Sequence, residues 1–227
     1  MTGLRALPPA DSLGETTYQR LRADIIMGAL APGLKLRLEA LRERYGVGAG
    51  TLREALSRLA AEQFVLAEDQ RGFEVAPISE SGLRDIAALR LLIEEHALAL
   101  SFAHGTLDWE AAVIAAHHRL DSHEDRLERG DTSDIAGWRE SDWRFHQALI
   151  AACGSRVLIE SHAEVFDRYL RYQMIALAFR PAASRPEHRA LMQAALRRDT
   201  DGAVALLRHH LQAGMDQAIR LGRVPPG

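Results

Sequence analysis

Asp142 and His146 stand four residues apart, the spacing that sets two side chains one above the other on a single helix face. Leu149, Ile150 and Cys153 continue that face with apolar residues, so the pair points inward. A buried carboxylate beside an imidazole has two uses: it orients a core histidine, or both groups ligate a metal ion. His188 opens a stretch whose inward side carries Leu191 and Ala195, and His210 follows Leu206 and Leu207 by four and three residues. The same count turns His209 toward the polar side. One Asp and three His on inward faces are a donor set for Zn²⁺, Ni²⁺ or Mn²⁺, with remaining positions open to water or a ligand carboxylate. His96, His104, His117, His118, His123 and His162 lack matching spacing and are expected at the surface or in ordinary packing.

A second group lies near the front of the chain. Thr51 and Arg53 fall in the first turn of an expected helix, surrounded by Lys35, Arg37, Arg42, Arg44 and Arg58. Between residues 35 and 58, six Lys/Arg face three Glu (39, 43 and 54), a local charge of +3. Such a helix suits the DNA major groove, where an Arg bonds a guanine edge or holds a phosphate. The same charge would also suit a merely solvated face, since +3 is modest.

The elements that must position these groups follow from periodicity. Tyr18, Leu21, Ile25 and Ile26 form a helical stripe within Thr16 to Met27, ended by Gly28. Pro32-Gly33 forces a turn, and Leu38, Leu41 and Tyr45 form a second short helix broken by Gly46-Val47-Gly48. Leu52, Ala55, Leu56 and Leu59 make a third. Phe64-Val65-Leu66 and Phe73-Glu74-Val75 are β-prone runs around a polar tip that includes Arg71 and Gly72, short enough to approach a DNA backbone or minor groove. Helix, turn, helix and hairpin form the winged helix-turn-helix order.

Behind Pro77 the pattern changes. All ten histidines lie at or beyond His96, and helical periodicity runs through about 82–103, 108–128, 137–151, 156–179, 186–197 and 200–220. Breaks fall at Gly105, Gly130, Gly154, Pro181 and Asp199. Six helices with short connections imply an antiparallel all-α bundle. The expected fold is therefore mainly α, with a winged helix-turn-helix unit over 1–77 and a helical bundle over 78–227.

With 227 residues, 47% hydrophobic and 26% charged, the chain can bury a core and is not disordered throughout. Its net charge of −3 excludes a uniformly basic nucleic-acid coat. The single cysteine, Cys153, forms no internal disulfide, which suits a reducing cytoplasm. No apolar run of 18 residues predicts a membrane helix, and the first ten residues lack a secretory pattern.

Tyr18-x-x-Leu21-Arg22, Pro32-Gly33-x-Lys35-Leu36, Leu52-Arg53-Glu54-Ala55-Leu56-x-Arg58-Leu59 and Gly72-Phe73-x-Val75 resemble the DNA-binding domain of GntR-family transcription regulators over about 18–77. Leu36-Arg37-Leu38-Glu39-Ala40-Leu41, Tyr45-Gly46-Val47-Gly48 and Asp69-Gln70-Arg71-Gly72-Phe73 resemble the carbon-starvation-induced branch of that family. The resemblance implies DNA contacts by Arg53, with Arg37 and Arg42 in support. Two positions depart from it. Ala49 stands where many members carry Arg, and Gln63 where many carry Gly; a positive φ at Gln63 would cost roughly 1 kcal/mol.

Asp142-x-x-Phe145-His146-x-x-Leu149, Glu187-His188-Arg189-Ala190, Ala203-x-x-Leu206-x-x-x-His210 and Arg90-x-x-Ile93-Glu94 resemble the FadR-type C-terminal (FCD) domain over about 82–215. That resemblance implies a bundle for effector binding and dimerisation, holding a divalent metal with Asp142, His146, His188 and His210. Arg90 and Glu94, four apart, form either a helix-face ion pair or an arm of the cavity, with Arg90 clamping an anionic effector opposite the metal. Tyr169 and Tyr172, with Arg168 and Arg171, line the same pocket or form a solvated helix edge, the edge being favoured. The implied function is a cytoplasmic homodimeric repressor on a palindromic operator. Its DNA affinity would respond to a small carboxylate, glutarate or 2-hydroxyglutarate if the branch resemblance holds. The alternative is a metal-dependent enzyme acting on a small organic acid, in which the His₃Asp site activates water.

Overall fold

The computed structural model describes residues 12–68 and 72–226. It divides into two compact units between Pro77 and Ile78.

In the first unit, α1 (Leu13–Ile26), α2 (Leu38–Tyr45) and α3 (Ala49–Ala61) precede β1 (Val65–Glu68) and β2 (Gly72–Val75). The strands pair antiparallel, with Val65 opposite Val75 and Glu68 opposite Gly72. Leu21, Ile25, Leu52, Leu56, Leu59 and Phe64 fill the core. Polar ties brace it: the Tyr18 hydroxyl donates to Glu62 at 2.6 Å, and Tyr45 and Arg44 both donate to Asp24. The hairpin has an addition absent from the sequence reading. Residues 34–36 run beside β2, with Val75 N–H donating to Leu34 O (2.9 Å) and Leu36 N–H to Phe73 O (2.7 Å). A three-residue partner is too short to show alternation, and Pro32-Gly33 masks it.

The end of α3 follows a Schellman pattern. Gln63 N–H donates to Ala60 O and Phe64 N–H to Leu59 O, with Leu59 and Phe64 both buried. That closure places Gln63 at φ +63°, the left-handed conformation anticipated for it.

The second unit contains α4 (Glu80–His104), α5 (Leu107–Glu128), α6 (Ile135–Ile150), α7 (Arg156–Ala176), α8 (Pro181–Arg197) and α9 (Thr200–Arg220). Five starts are legible as side-chain caps: Ser79, Thr106, Asp134, Ser155 and Asp199 each accept a first-turn N–H. The sixth differs from expectation. Pro181 opens α8 at its first position, where its missing N–H has no intrahelical partner to lose. The helix thus begins five residues before the expected start, and Pro186 lies inside it. α7 stops at Ala176, with Leu177 left-handed at φ +51°.

Packing is not simply sequential. α5 lies against α6 and α8, and α4 against α7 and α9. This arrangement brings inward faces of α4, α5, α6, α8 and α9 toward one interior. No helix among the described residues is long and apolar enough to cross a membrane.

Candidate metal centre and nucleic-acid interface

Each of three imidazoles rests on a carboxylate from the surrounding helices. His146 Nδ1 lies 2.5 Å from Glu94 Oε1, His188 Nδ1 2.9 Å from Glu124 Oε1, and His210 Nδ1 2.7 Å from Glu187 Oε2. An ionised carboxylate only accepts hydrogen bonds, so each Nδ1 carries the proton and donates it. Nε2 of every ring is then the free nitrogen, as metal ligation requires. His146, His188 and His210 each offer a ligand atom within 4.8 Å of the others, and all three are buried. Nε2 of His146 and of His188 is fully enclosed, with no hydrogen-bond partner among the described residues.

Asp142 completes the set. Its Oδ1 lies 3.5 Å from His188 Nε2 and 4.0 Å from His146 Nε2. A lone pair facing a carboxylate oxygen is repulsive unless a proton or cation lies between them. The enclosed nitrogens and the acidic oxygen therefore fit a divalent ion.

Burial and charge tune the rings differently. Burial pushes His210 down to about 3, aided by its histidine neighbours and opposed by Glu187. Burial also lowers His146 against the pull of Glu94. At His188 burial pushes down, but Glu124 and Asp142 override it and the imidazole rises above its ordinary value. A proton and a metal thus compete for its Nε2.

Glu94 anchors a wider buried network. Arg90 Nε donates to its Oε2 at 3.0 Å, and His162 Nε2 lies 3.0 Å from the same oxygen. Burial alone would raise the Glu94 carboxyl; Arg90 and the two imidazoles hold it well below the usual range. Gln147 donates to His162 Nδ1 at 2.9 Å. The Arg90 guanidinium is stacked between Phe166 (4.0 Å) and Tyr169 (4.9 Å). It is 2% exposed, and its Nη2 has no partner among the described residues. Arg90 lines a cavity of about 20 Å³ together with Asp142, His188 and His210, room for one water molecule. Trp138, Gln173, Phe179, Arg180 and Ser184 lie on its other walls.

Both readings offered for Arg90 and Glu94 have support: the ion pair forms at 3.0 Å, buried because α4 is covered by α7 and α9, and Arg90 also lines the cavity. Other expectations need correction. Tyr169 and Arg171 are buried, not a solvated edge, since α7 packs against α4, α6 and α9. His162 is likewise enclosed within the network of the site. Glu124 and Trp138 were not among the expected site residues, and Glu187 stood in a motif without a role. The signal for Glu124 was a carboxylate on the apolar stripe of Val113, His117 and Leu120, a place where glutamate needs a partner.

In the first unit, Arg53 is exposed on the second turn of α3, with Thr51 half-buried beside it. Arg37 precedes α2, and Arg42 lies on its exposed side. Arg37, Arg42 and Arg53 have no ion pair or hydrogen bond among the described residues. Arg44 and Arg58 are held by Asp24 and Glu15, and Lys35 by Glu74. Gly72 is exposed at φ +94° at the start of β2. Arg71 lies outside the described residues.

A helix-turn-helix unit with a β wing, followed by a six-helix bundle around a histidine cluster, is the architecture of a DNA-binding transcription regulator. Residues 13–75 match the model for bacterial regulatory proteins of the gntR family, and residues 85–213 match the FCD domain. The chain belongs to the GntR family of bacterial regulatory proteins, in the group that carries an FCD domain. It is 40% identical to the uncharacterized HTH-type transcriptional regulator BphR of Paraburkholderia xenovorans, over 93% of this chain and 87% of that protein. It is 39% identical to the HTH-type transcriptional repressor GlaR of Escherichia coli, over 86% and 90% respectively. Among solved structures, McbR/YncC of E. coli superposes with a TM-score of 0.75 at 23% identity, over 93% of this chain and 99% of that one. BphR and GlaR are named as a transcriptional regulator and a transcriptional repressor, not as enzymes.

Proposed function

We propose that the chain is a metal-loaded repressor that binds a palindromic operator as a homodimer and releases it when a small carboxylate enters the bundle. The unit over 1–77 grips DNA through Thr51, Arg53, Arg37 and Arg42, with Arg71 and Gly72 of the wing at the backbone or minor groove. The unit over 78–227 binds metal and effector and pairs the two copies. Two copies related by a twofold axis would present recognition helices to half-sites about one helical turn apart.

One observation carries the effector reading. Asp142, His188 and His210 line one cavity together with Arg90, whose Nη2 has no partner among the described residues, and His146 offers a ligand atom within 4.8 Å of those of the other two imidazoles. When bound, a Zn²⁺, Ni²⁺ or Mn²⁺ ion would supply an electrophilic site for a ligand carboxylate. Glu94, Glu124 and Glu187 hold the three rings in the ligating tautomer. Arg90, neutralised on one edge by Glu94, offers its other edge to an anion. Glutarate and 2-hydroxyglutarate are the first effectors to test, and the repressor sign is supported by the name of the relative GlaR. A cytoplasmic location accords with a DNA target.

Elemental mass spectrometry of the purified chain tests the metal. About one divalent ion per chain is expected, lost on His146→Ala while helical content is retained. Full metal content in that variant would remove His146 from the site. A chain that binds no divalent metal at all would overturn the reading.

A further inference from the structure

Trp138 lies in the first turn of α6, 6% exposed, packed edge-on against Phe179 with centroids 5.3 Å apart. Its indole N–H has no acceptor among the described residues. The contrast with Trp109 is direct, because that indole donates to Ala148 O at 2.9 Å. A buried donor without an acceptor is costly, so folded proteins rarely leave one unexplained. The Trp143 indole is also without an acceptor, but it does not line the cavity, whereas Trp138 does.

The cavity thus has two kinds of wall. Asp142, His188 and His210 present metal-ligating atoms, while Arg90 and Trp138 supply donors that find no acceptor among the described residues. Neither donor can accept a hydrogen bond. A ligand that reaches both walls must carry one oxygen group for the metal and a second for these donors.

We infer that Trp138 is an effector-specificity residue, whose indole N–H acts with Arg90 Nη2 to receive a second oxygenated group, selecting compact dicarboxylates over monocarboxylates. This rests on the proposed carboxylate reading of the site. The indole adds what the guanidinium lacks, a single fixed donor on a rigid ring held by Phe179. The 20 Å³ of free space in the present conformation requires the walls to part for any such ligand. Phe179 and Arg180, in and beside the short link from α7 to α8, are the walls with the least helical support.

Calorimetry on the full-length metal-loaded chain, titrated with glutarate and with butyrate, tests this. Butyrate is glutarate with one carboxylate replaced by hydrogen, so the pair isolates the second carboxylate. Wild type is expected to favour glutarate by at least 10-fold. Trp138→Phe keeps the ring and removes the donor; it should weaken glutarate by about 10- to 100-fold while butyrate changes less than 3-fold and metal content is unchanged. Unchanged glutarate binding, or equal loss of both ligands, overturns the role of Trp138 and leaves the carboxylate reading standing. Failure of the wild type to bind any of acetate, butyrate, malonate, succinate, glutarate and citrate overturns both.

A second measurement needs no variant of Trp138. The Trp138 indole ¹⁵N–¹H resonance, assigned by elimination with Trp109→Phe and Trp143→Phe, should move downfield with saturating glutarate and not with butyrate. An unmoved resonance would also overturn the proposal.

Discussion

A histidine ligates metal well only when its other nitrogen is held, and here three different helices supply the holding groups. Glu124 is the most enclosed example after Glu94, accepting from both His188 Nδ1 and Ser184 Oγ. Glu124→Gln keeps an acceptor but removes the charge that makes His188 a strong donor. We expect metal affinity to fall about 10-fold or more, read by competition with a chromophoric chelator; an unchanged affinity would make Glu124 a packing group. The arginines of the first unit divide in the same residue-by-residue way. Arg53→Ala should cost about 1–3 kcal/mol of operator binding without lowering the melting temperature, because Arg53 braces nothing in the described structure. Arg58→Ala should do the reverse and lower stability by about 1 kcal/mol, since Arg58 bonds Glu15 and stacks 3.8 Å from the Tyr18 ring centroid. Anisotropy titrations and melts on both variants separate the two outcomes. Asp142, His146, His188 and His210 were visible in the sequence because each interrupts an apolar face at helical spacing. Glu94 and Glu187 stood in the motifs, but their role as supports, and Glu124 altogether, were not visible. A glutamate on a helix looks solvated until the neighbouring helix is known, and that neighbour is fixed by tertiary packing.

At the scale of elements, caps and turns carried most of the legible information. Ser79, Thr106, Asp134, Ser155 and Asp199 announce helix starts by side-chain chemistry alone. The start of α8 was missed because Pro181 looks like a breaker and is instead a first-position residue. Gln63 is strained by its left-handed backbone, yet its Schellman closure is intact. Gln63→Gly should therefore stabilise the chain by about 0.5–1 kcal/mol, measurable as a higher denaturant midpoint; a loss would mean the Gln side chain has a compensating role. Between helices, Arg185 at the start of α8 bonds Asp121, Asp125 and Glu128 of α5. The Arg185 hydrogen bonds hold the Asp121 carboxyl at about 2, below its ordinary 3.8. A carboxyl depressed in the folded state stabilises fully above its unfolded value and loses that contribution as pH falls toward the folded one. Arg185→Ala should cost about 1 kcal/mol at pH 7, a modest figure because the partners remain partly exposed to solvent. The gap between variant and wild type should narrow from pH 4 to pH 2. A gap independent of pH in urea titrations would show that the clamp does not act through these carboxylates.

For the whole molecule, a DNA-binding unit and an FCD unit are joined in one chain, and the proposed regulation requires only that effector and operator favour different states. A coupling of about 1–3 kcal/mol between the two sites is enough. The order of the units was legible from the histidine distribution and from Pro77. The non-sequential packing of the bundle was not, because helical periodicity identifies a buried face without naming what covers it. The most direct test is to incubate metal-loaded protein with sheared genomic DNA from its source at moderate salt and sequence what is retained, with and without glutarate. A metal-gated, carboxylate-responsive repressor should retain a small set of palindromic sites and release them with glutarate or 2-hydroxyglutarate. Retention of nothing above background by folded, metal-loaded protein would contradict it.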